Sequence, residues 1–186
     1  MHSPSITFIT GNPKKAEYLE KYLGFPVLHK KLDLDELQSL DLKEVVEHKV
    51  RQAYAKIGTP VLVEDVALEF VALGRLPGTF IKFFITEIPY ESICRLLDNR
   101  DRRAIARCGY GYYDGVHFEY FSGMMSGTIS DHPGKENGFG WDRIFIPKGY
   151  TTIRSELSEE EYKKVYLQIK PLEKVREYFE QLQMEE

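Results

Sequence analysis

The sequence predicts an α/β fold, and three stretches carry that prediction. The apolar run Ile6-Thr7-Phe8-Ile9 passes through Gly11 into Asn12-Pro13, where a capping side chain and a first-turn proline start a helix; this is a βα unit. Two extended runs, 103–113 and 116–125, flank Asp114-Gly115, a strong signal for a two-residue hairpin. Ser158 with Glu161 three residues on is a capping box that opens a final helix. Strands alternating with helices first, and antiparallel strands later, make the expected sheet a mixed one.

With 186 residues the chain suits one domain over 1–186, with room for two lobes and a proper core. No apolar run approaches the roughly 18 residues of a membrane span and no signal peptide opens the chain, so a soluble cytoplasmic protein is expected. A formal charge of −4 argues against broad binding to nucleic acid, which needs a basic face. Cys94 and Cys108 lack metal-ligand spacing and read as reduced, packed thiols.

In the opening unit, Lys14 and Lys15 fall in the first helical turn, where the macrodipole already places positive charge. A phosphate held by Thr10-Gly11-Asn12 and the two ammonium groups turns that cost into a site; a solvated lysine pair fits the stretch equally well. Tyr18, Leu19, Tyr22 and Leu23 continue the helix until Gly24-Phe25-Pro26. Val27 to Leu32 reads as a short strand, and the acidic stretch 33–38 after it is either a solvated loop or faces a site. A second helix is expected from about Leu42 to Ile57, with Lys49 on its apolar side either snorkelling or serving an anion. Gly58-Thr59-Pro60 breaks that helix before Val61-Leu62-Val63-Glu64-Asp65.

Ligands of open α/β sheets lie beyond the carboxyl ends of strands, where both the Gly11 turn and the Glu64-Asp65 pair belong. Adjacent acids on a strand point to opposite faces, so at most one of them enters such a crevice directly unless the strand has bent, and a helix cap or surface pair is the alternative for the one that points away. Leu73 to Gly78 is a turn-rich loop, and a helical segment with Lys82 runs on from Thr79 through Leu97. Gly127 to Ser130 adds a short strand, and Phe139-Gly140-Trp141-Asp142 stands at the mouth of another. Its tryptophan is either core or an aromatic face for a base. Pro171 is expected to kink or split the last helix.

Taken in order, Thr10-Gly11-Asn12-Pro13-Lys14-Lys15, Val63-Glu64-Asp65, Leu76-Pro77-Gly78 with Ile81-Lys82, and Phe139-Gly140-Trp141-Asp142 resemble the inosine triphosphate pyrophosphatase family over nearly the whole chain. The resemblance implies a homodimer whose elongated mixed central sheet and flanking helices form two lobes around a nucleotide cleft. It implies hydrolysis of ITP, dITP and XTP to the monophosphate and pyrophosphate with Mg2+, for which Mn2+ could substitute. By resemblance Glu36 and Asp65 are the metal carboxylates, Asp65 handles water with Glu64 in support, and Lys15 serves both catalysis and binding. Thr10, Gly11, Asn12, Lys14, Lys49 and Lys82 would hold the phosphates, while Phe139, Gly140, Trp141 and Asp142 would border the base.

The family also carries a lysine and then Ser-His-Arg near the start of the last helix, and here the sequence departs. An ungapped register from Glu156 to Phe179 places Tyr162 at the lysine and Tyr166-Leu167-Gln168 at the triplet. Lys163, Lys164, Gln168 and Arg143 are the candidate replacements, and altered base preference is expected. The alternative expectations are a nucleotide-binding homologue without turnover and a pyrophosphatase for another modified nucleotide.

Overall fold

A computed structural model describes residues 6–136 and 140–185. The chain divides into two compact units: Met1–Asp65, Gly109–Ser122 and Pro171–Glu186 form the first, and Val66–Cys108 with Gly123–Lys170 the second. The strand order is β2 (Val27–Lys30), β1 (Ile6–Ile9), β3 (Val61–Phe70), β5 (Arg103–Tyr113), β6 (Phe118–Ile129), β7 (Phe145–Pro147), with β4 (Pro77–Gly78) pairing β3. The sheet is mixed, as expected.

In the first unit, β1 (Ile6–Ile9) leads into α1 (Pro13–Leu23), β2 (Val27–Lys30), α2 (Leu42–Ile57) and the start of β3 (Val61–Phe70). β1 lies parallel to β2 on one side and to β3 on the other. The β1-to-β2 and β2-to-β3 crossovers therefore run in opposite directions across the sheet, and right-handed connection puts α1 and α2 on opposite faces. Both helices start and stop on the residues expected. Asn12 and Asp41 cap them, while Gly24 and Gly58 end them at φ 80 and 73, the left-handed region that disfavours other residues.

β5 (Arg103–Tyr113) and β6 (Phe118–Ile129) span both units, and α6 (Leu172–Glu185) closes the first. The core of this unit joins Ile6, Phe8, Leu19, Val46, Val50, Leu62, Tyr110 and Phe179. The Phe179 ring meets Phe25 and Tyr112 edge-on. Gly111 lets α2 approach β5, since a Cβ there would lie 2.5 Å from Val46 Cγ1.

The second unit contains β4 (Pro77–Gly78), α3 (Ile81–Glu87), α4 (Tyr90–Arg95), β7 (Phe145–Pro147) and α5 (Glu159–Ile169). Leu68, Phe70, Ile93, Leu97, Ile144, Phe145 and Val165 fill its core. The capping box is present at Ser158 and Glu161. Pro171 falls between α5 and α6 and splits the last helix, as its missing N–H requires.

Four local expectations change. β3 runs on to Phe70 rather than stopping at Asp65, because Ala67, Leu68 and Phe70 are themselves buried strand residues. The segment from Thr79 to Leu97 is two short helices, broken where Pro89 caps the second. The hairpin turn centres one residue later than expected, on Gly115-Val116, since the Asp114 carboxylate accepts from the amides of Val116 and His117 at 2.7 Å each. Residues 127–129 continue β6 rather than forming a new strand, and Ser130 lies just past its end.

Candidate active site

The first group forms where β1 ends beside the middle of β3, to which it runs parallel. The Asn12 amide donates to Thr10 Oγ1 and the Lys14 amide donates to Asn12 Oδ1, both at 3.1 Å, so the turn shapes itself before any ligand arrives. Gly11 is exposed, and the stem of Lys31 lies 3.5 Å from where its Cβ would be. Lys31 is thus a further lysine whose stem packs against the Gly11 turn. Its only sequence signal is its place just past the end of β2, beside β1.

Glu64 and Asp65 follow on β3 and are served by different helices. Lys15, from the first turn of α1, reaches Glu64 Oε1 at 3.0 Å; Lys49 of α2 reaches Asp65 Oδ2 at 2.9 Å. This is the opposite-face arrangement expected of neighbouring strand residues. Glu64 is the more enclosed, its side chain 4% accessible against 24% for Asp65. Tyr110 of β5 donates its hydroxyl to Glu64 Oε2 at 2.6 Å inside the core. Lys49 also donates to the Glu64 carbonyl at 3.3 Å, so one ammonium ties both residues. Burial of these charges is tolerable because each is paired.

Glu36 is exposed in the irregular stretch between β2 and α2. Among the described residues no three His, Cys, Asp or Glu side chains gather as a preformed metal cage. Mg2+ takes one or two protein carboxylates and completes its shell with water and phosphate oxygens, so the hard oxygen donors Glu36 and Asp65 fit it chemically.

The second group belongs to the other unit. Gly140 to Arg143 form a single 3-10 turn, with Gly140 at φ 55 and its carbonyl accepting from the Tyr90 hydroxyl at 3.0 Å. Trp141 is 8% exposed and meets Phe145 edge-on at 5.5 Å. Asp142 is 3% exposed and holds two partners that sequence reasoning missed. Arg154 pairs with its Oδ1, and the Tyr162 hydroxyl donates to its Oδ2 at 2.7 Å.

Burial pushes the Asp142 carboxyl above its usual range, opposed by Arg154, Tyr162 and Lys170. Burial and the nearby Asp142 charge push the Tyr162 phenol well up, so it acts as a neutral donor. The Arg154 guanidinium lies 5.1 Å from the Trp141 ring centroid and 4.7 Å from that of Tyr162.

Of the expected site residues, the structure brings Thr10, Asn12 and Lys14 into one turn, Lys15 onto Glu64, Lys49 onto Asp65, and Gly140, Trp141 and Asp142 into another. Lys82 lies exposed on α3, and Lys163 and Gln168 lie exposed on α5, off the buried stripe of Val165 and Ile169. Arg143 stacks on Tyr90 at 4.4 Å. Phe139 lies outside the described residues.

Comparison with known proteins matches residues 6–178 to the Ham1 family. Inosine triphosphate pyrophosphatase of Yarrowia lipolytica is 38% identical, over 92% of this chain and 94% of its own length. The protein of that name from Scheffersomyces stipitis is 34% identical, over 94% and 97%. Among solved structures, a HAM1 protein from Coxiella burnetii superposes with a TM-score of 0.83 at 21% identity, covering 95% of this chain and 98% of its own. The Ham1 protein of Staphylococcus aureus gives a TM-score of 0.76 at 25% identity, over 98% and 100%. With Lys15 on Glu64 and Lys49 on Asp65 just past the end of β1, and with a family match over nearly its whole length, this chain belongs to the Ham1 family.

Proposed function

We propose that this protein is a nucleoside triphosphate pyrophosphatase that hydrolyses ITP, dITP and XTP to the monophosphate and pyrophosphate. The observation that carries the reading is the pairing of Lys15 with Glu64 and Lys49 with Asp65 on β3, just past the end of the parallel strand β1. The names of the relatives at 34–38% identity supply the nucleotide.

The positive end of α1 and the turn before it, with Lys14, Lys15 and Lys31, bind and neutralise the phosphate chain. Lys49 and Lys82 add positive charge, and each phosphate that displaces Lys49 or Lys15 releases a carboxylate for work. Asp65, the more accessible acid, orients the attacking water and accepts its proton; Glu64 supports it from inside the sheet. Asp65 and Glu36 would hold Mg2+, with Mn2+ as substitute, which would supply charge neutralisation at the phosphates. Gly140, Trp141 and Asp142 border the base, with Phe139, Lys163 and Gln168 beside them. A cytoplasmic homodimer acting on free nucleotides, rather than on nucleic acid or at a membrane, is part of this reading.

The test is pyrophosphate release across ITP, XTP, dITP, GTP, ATP, dUTP and CTP, with Mg2+ present or chelated, and with Asp65→Asn as comparison. Asp65→Asn keeps the side-chain shape and removes the charge. It should cost at least about a hundredfold in turnover, the lower range for loss of a general base or metal ligand. Turnover near wild type in Asp65→Asn removes this residue from the chemistry. Silence of the wild type on every nucleotide leaves a nucleotide-binding homologue instead.

A further inference from the structure

We propose that Arg154 and Tyr162 are positioning residues that set base preference, by holding the Asp142 carboxylate as an acceptor for a purine carrying N–H beside a six-position oxygen. This rests on the nucleotide reading above and names the residues that do the selecting.

Asp142 is nearly inaccessible; burial raises its carboxyl, while the ion pair with Arg154 favours its charged form. Arg154 and Lys170, both buried, act on it as cations, and the Tyr162 hydroxyl donates to it. A carboxylate offers about four lone-pair sites. Among the described residues each oxygen has one such contact, which leaves acceptor capacity on both. The cation beside it is fixed by shape: the Arg154 guanidinium lies against the Trp141 and Tyr162 rings, while its buried Nε has no hydrogen-bond partner among the described residues. That arrangement prevents the cation from swinging away and leaves the carboxylate direction defined.

The exposed Lys163 and Gln168 share no such enclosure. Arg143 is turned onto Tyr90. The cation attached to Asp142 therefore comes from Arg154, in the 3-10 turn before α5, and the hydroxyl from Tyr162 on its inner face.

An ionised carboxylate only accepts. It suits hypoxanthine, xanthine and guanine, which carry a proton on N1 next to the six-position oxygen. It opposes adenine, whose N1 presents a lone pair. The group should thus separate six-oxo from six-amino purines without distinguishing ITP from GTP.

The experiment measures kcat and KM for ITP, GTP and ATP in the wild type, Tyr162→Phe, Arg154→Lys and Arg154→Met, with folding checked by circular dichroism. Tyr162→Phe keeps the ring on Arg154 and removes only the donor. It should lower the ITP-to-ATP ratio of kcat/KM about tenfold, mainly through KM, the scale of one lost charge-assisted hydrogen bond. Arg154→Lys should retain more discrimination than Arg154→Met. If Arg154→Met does not fold, Tyr162→Phe and Arg154→Lys decide the matter.

An unmoved ratio in folded Tyr162→Phe and Arg154→Lys overturns the inference, as does a ratio moved only by Lys163→Ala or Gln168→Ala. A wild type with no turnover on any nucleotide overturns the nucleotide reading and this inference with it; turnover with an unmoved ratio overturns the inference alone.

Discussion

At the scale of the residue, the decisive groups are buried polar side chains whose partners lie far away in sequence. Tyr110 looks like an ordinary core aromatic, stacked at 6.1 Å from Phe8, yet its hydroxyl completes Glu64. Tyr110→Phe removes that donor and leaves the ring. It should cost about 1.5–3 kcal/mol in urea unfolding, the range for a hydrogen bond to a charged group, and lower turnover as Glu64 loses its fixed direction. An unchanged stability and rate would make the hydroxyl contact energetically idle. The cysteines offer a test of enclosure. Burial pushes the Cys94 thiol from 9.0 up to about 11, and Cys108 is also buried. Neither should react quickly with a thiol reagent in the native protein, and both should react once it is unfolded. Because the folded thiol holds its proton longer, its share of stability is intact below about pH 9 and is lost between 9 and about 11. Rapid native labelling of Cys94 would contradict its enclosure.

At the scale of the element, local chemistry carried most of the prediction. Asn12, Pro13, Gly24, Gly58 and the Ser158–Glu161 box act within four residues of themselves, and α1, α2 and α5 begin or end on them. Expectation failed where burial extended an element, as in β3 beyond Asp65, or where one carboxylate reset a turn, as Asp114 does. The contact between β5 and α2 is a further tertiary demand. Gly111→Ala places a methyl group 2.5 Å from Val46 Cγ1, and should destabilise the protein by about 1–3 kcal/mol through overpacking. Shaving Val46 to Ala in the same chain should recover part of that loss in a denaturant titration; failure to recover any would place the strain elsewhere.

At the scale of the whole molecule, the arrangement of β1 between parallel β2 and β3 turns a local turn into a site, since it sends α1 and α2 to opposite faces and brings a lysine from each onto consecutive acids. The proposed homodimer is tested at this scale: light scattering at micromolar concentration should return about twice the 21.6 kDa chain mass, the usual twofold assembly. A monomer mass would remove it. The α/β class, the helix limits and the candidacy of Lys15, Glu64, Asp65 and Trp141 were legible in the sequence, because caps, turns and strand alternation act over a few residues. Strand alternation also requires Glu64 and Asp65 to part company. Which lysine each acid meets, that Tyr110 serves Glu64, and that Asp142 is held by Arg154 and Tyr162 were decided by tertiary structure alone. Those partners stand 12 to 49 residues apart, and only crossover handedness and the packing of strands and helices bring their polar ends together.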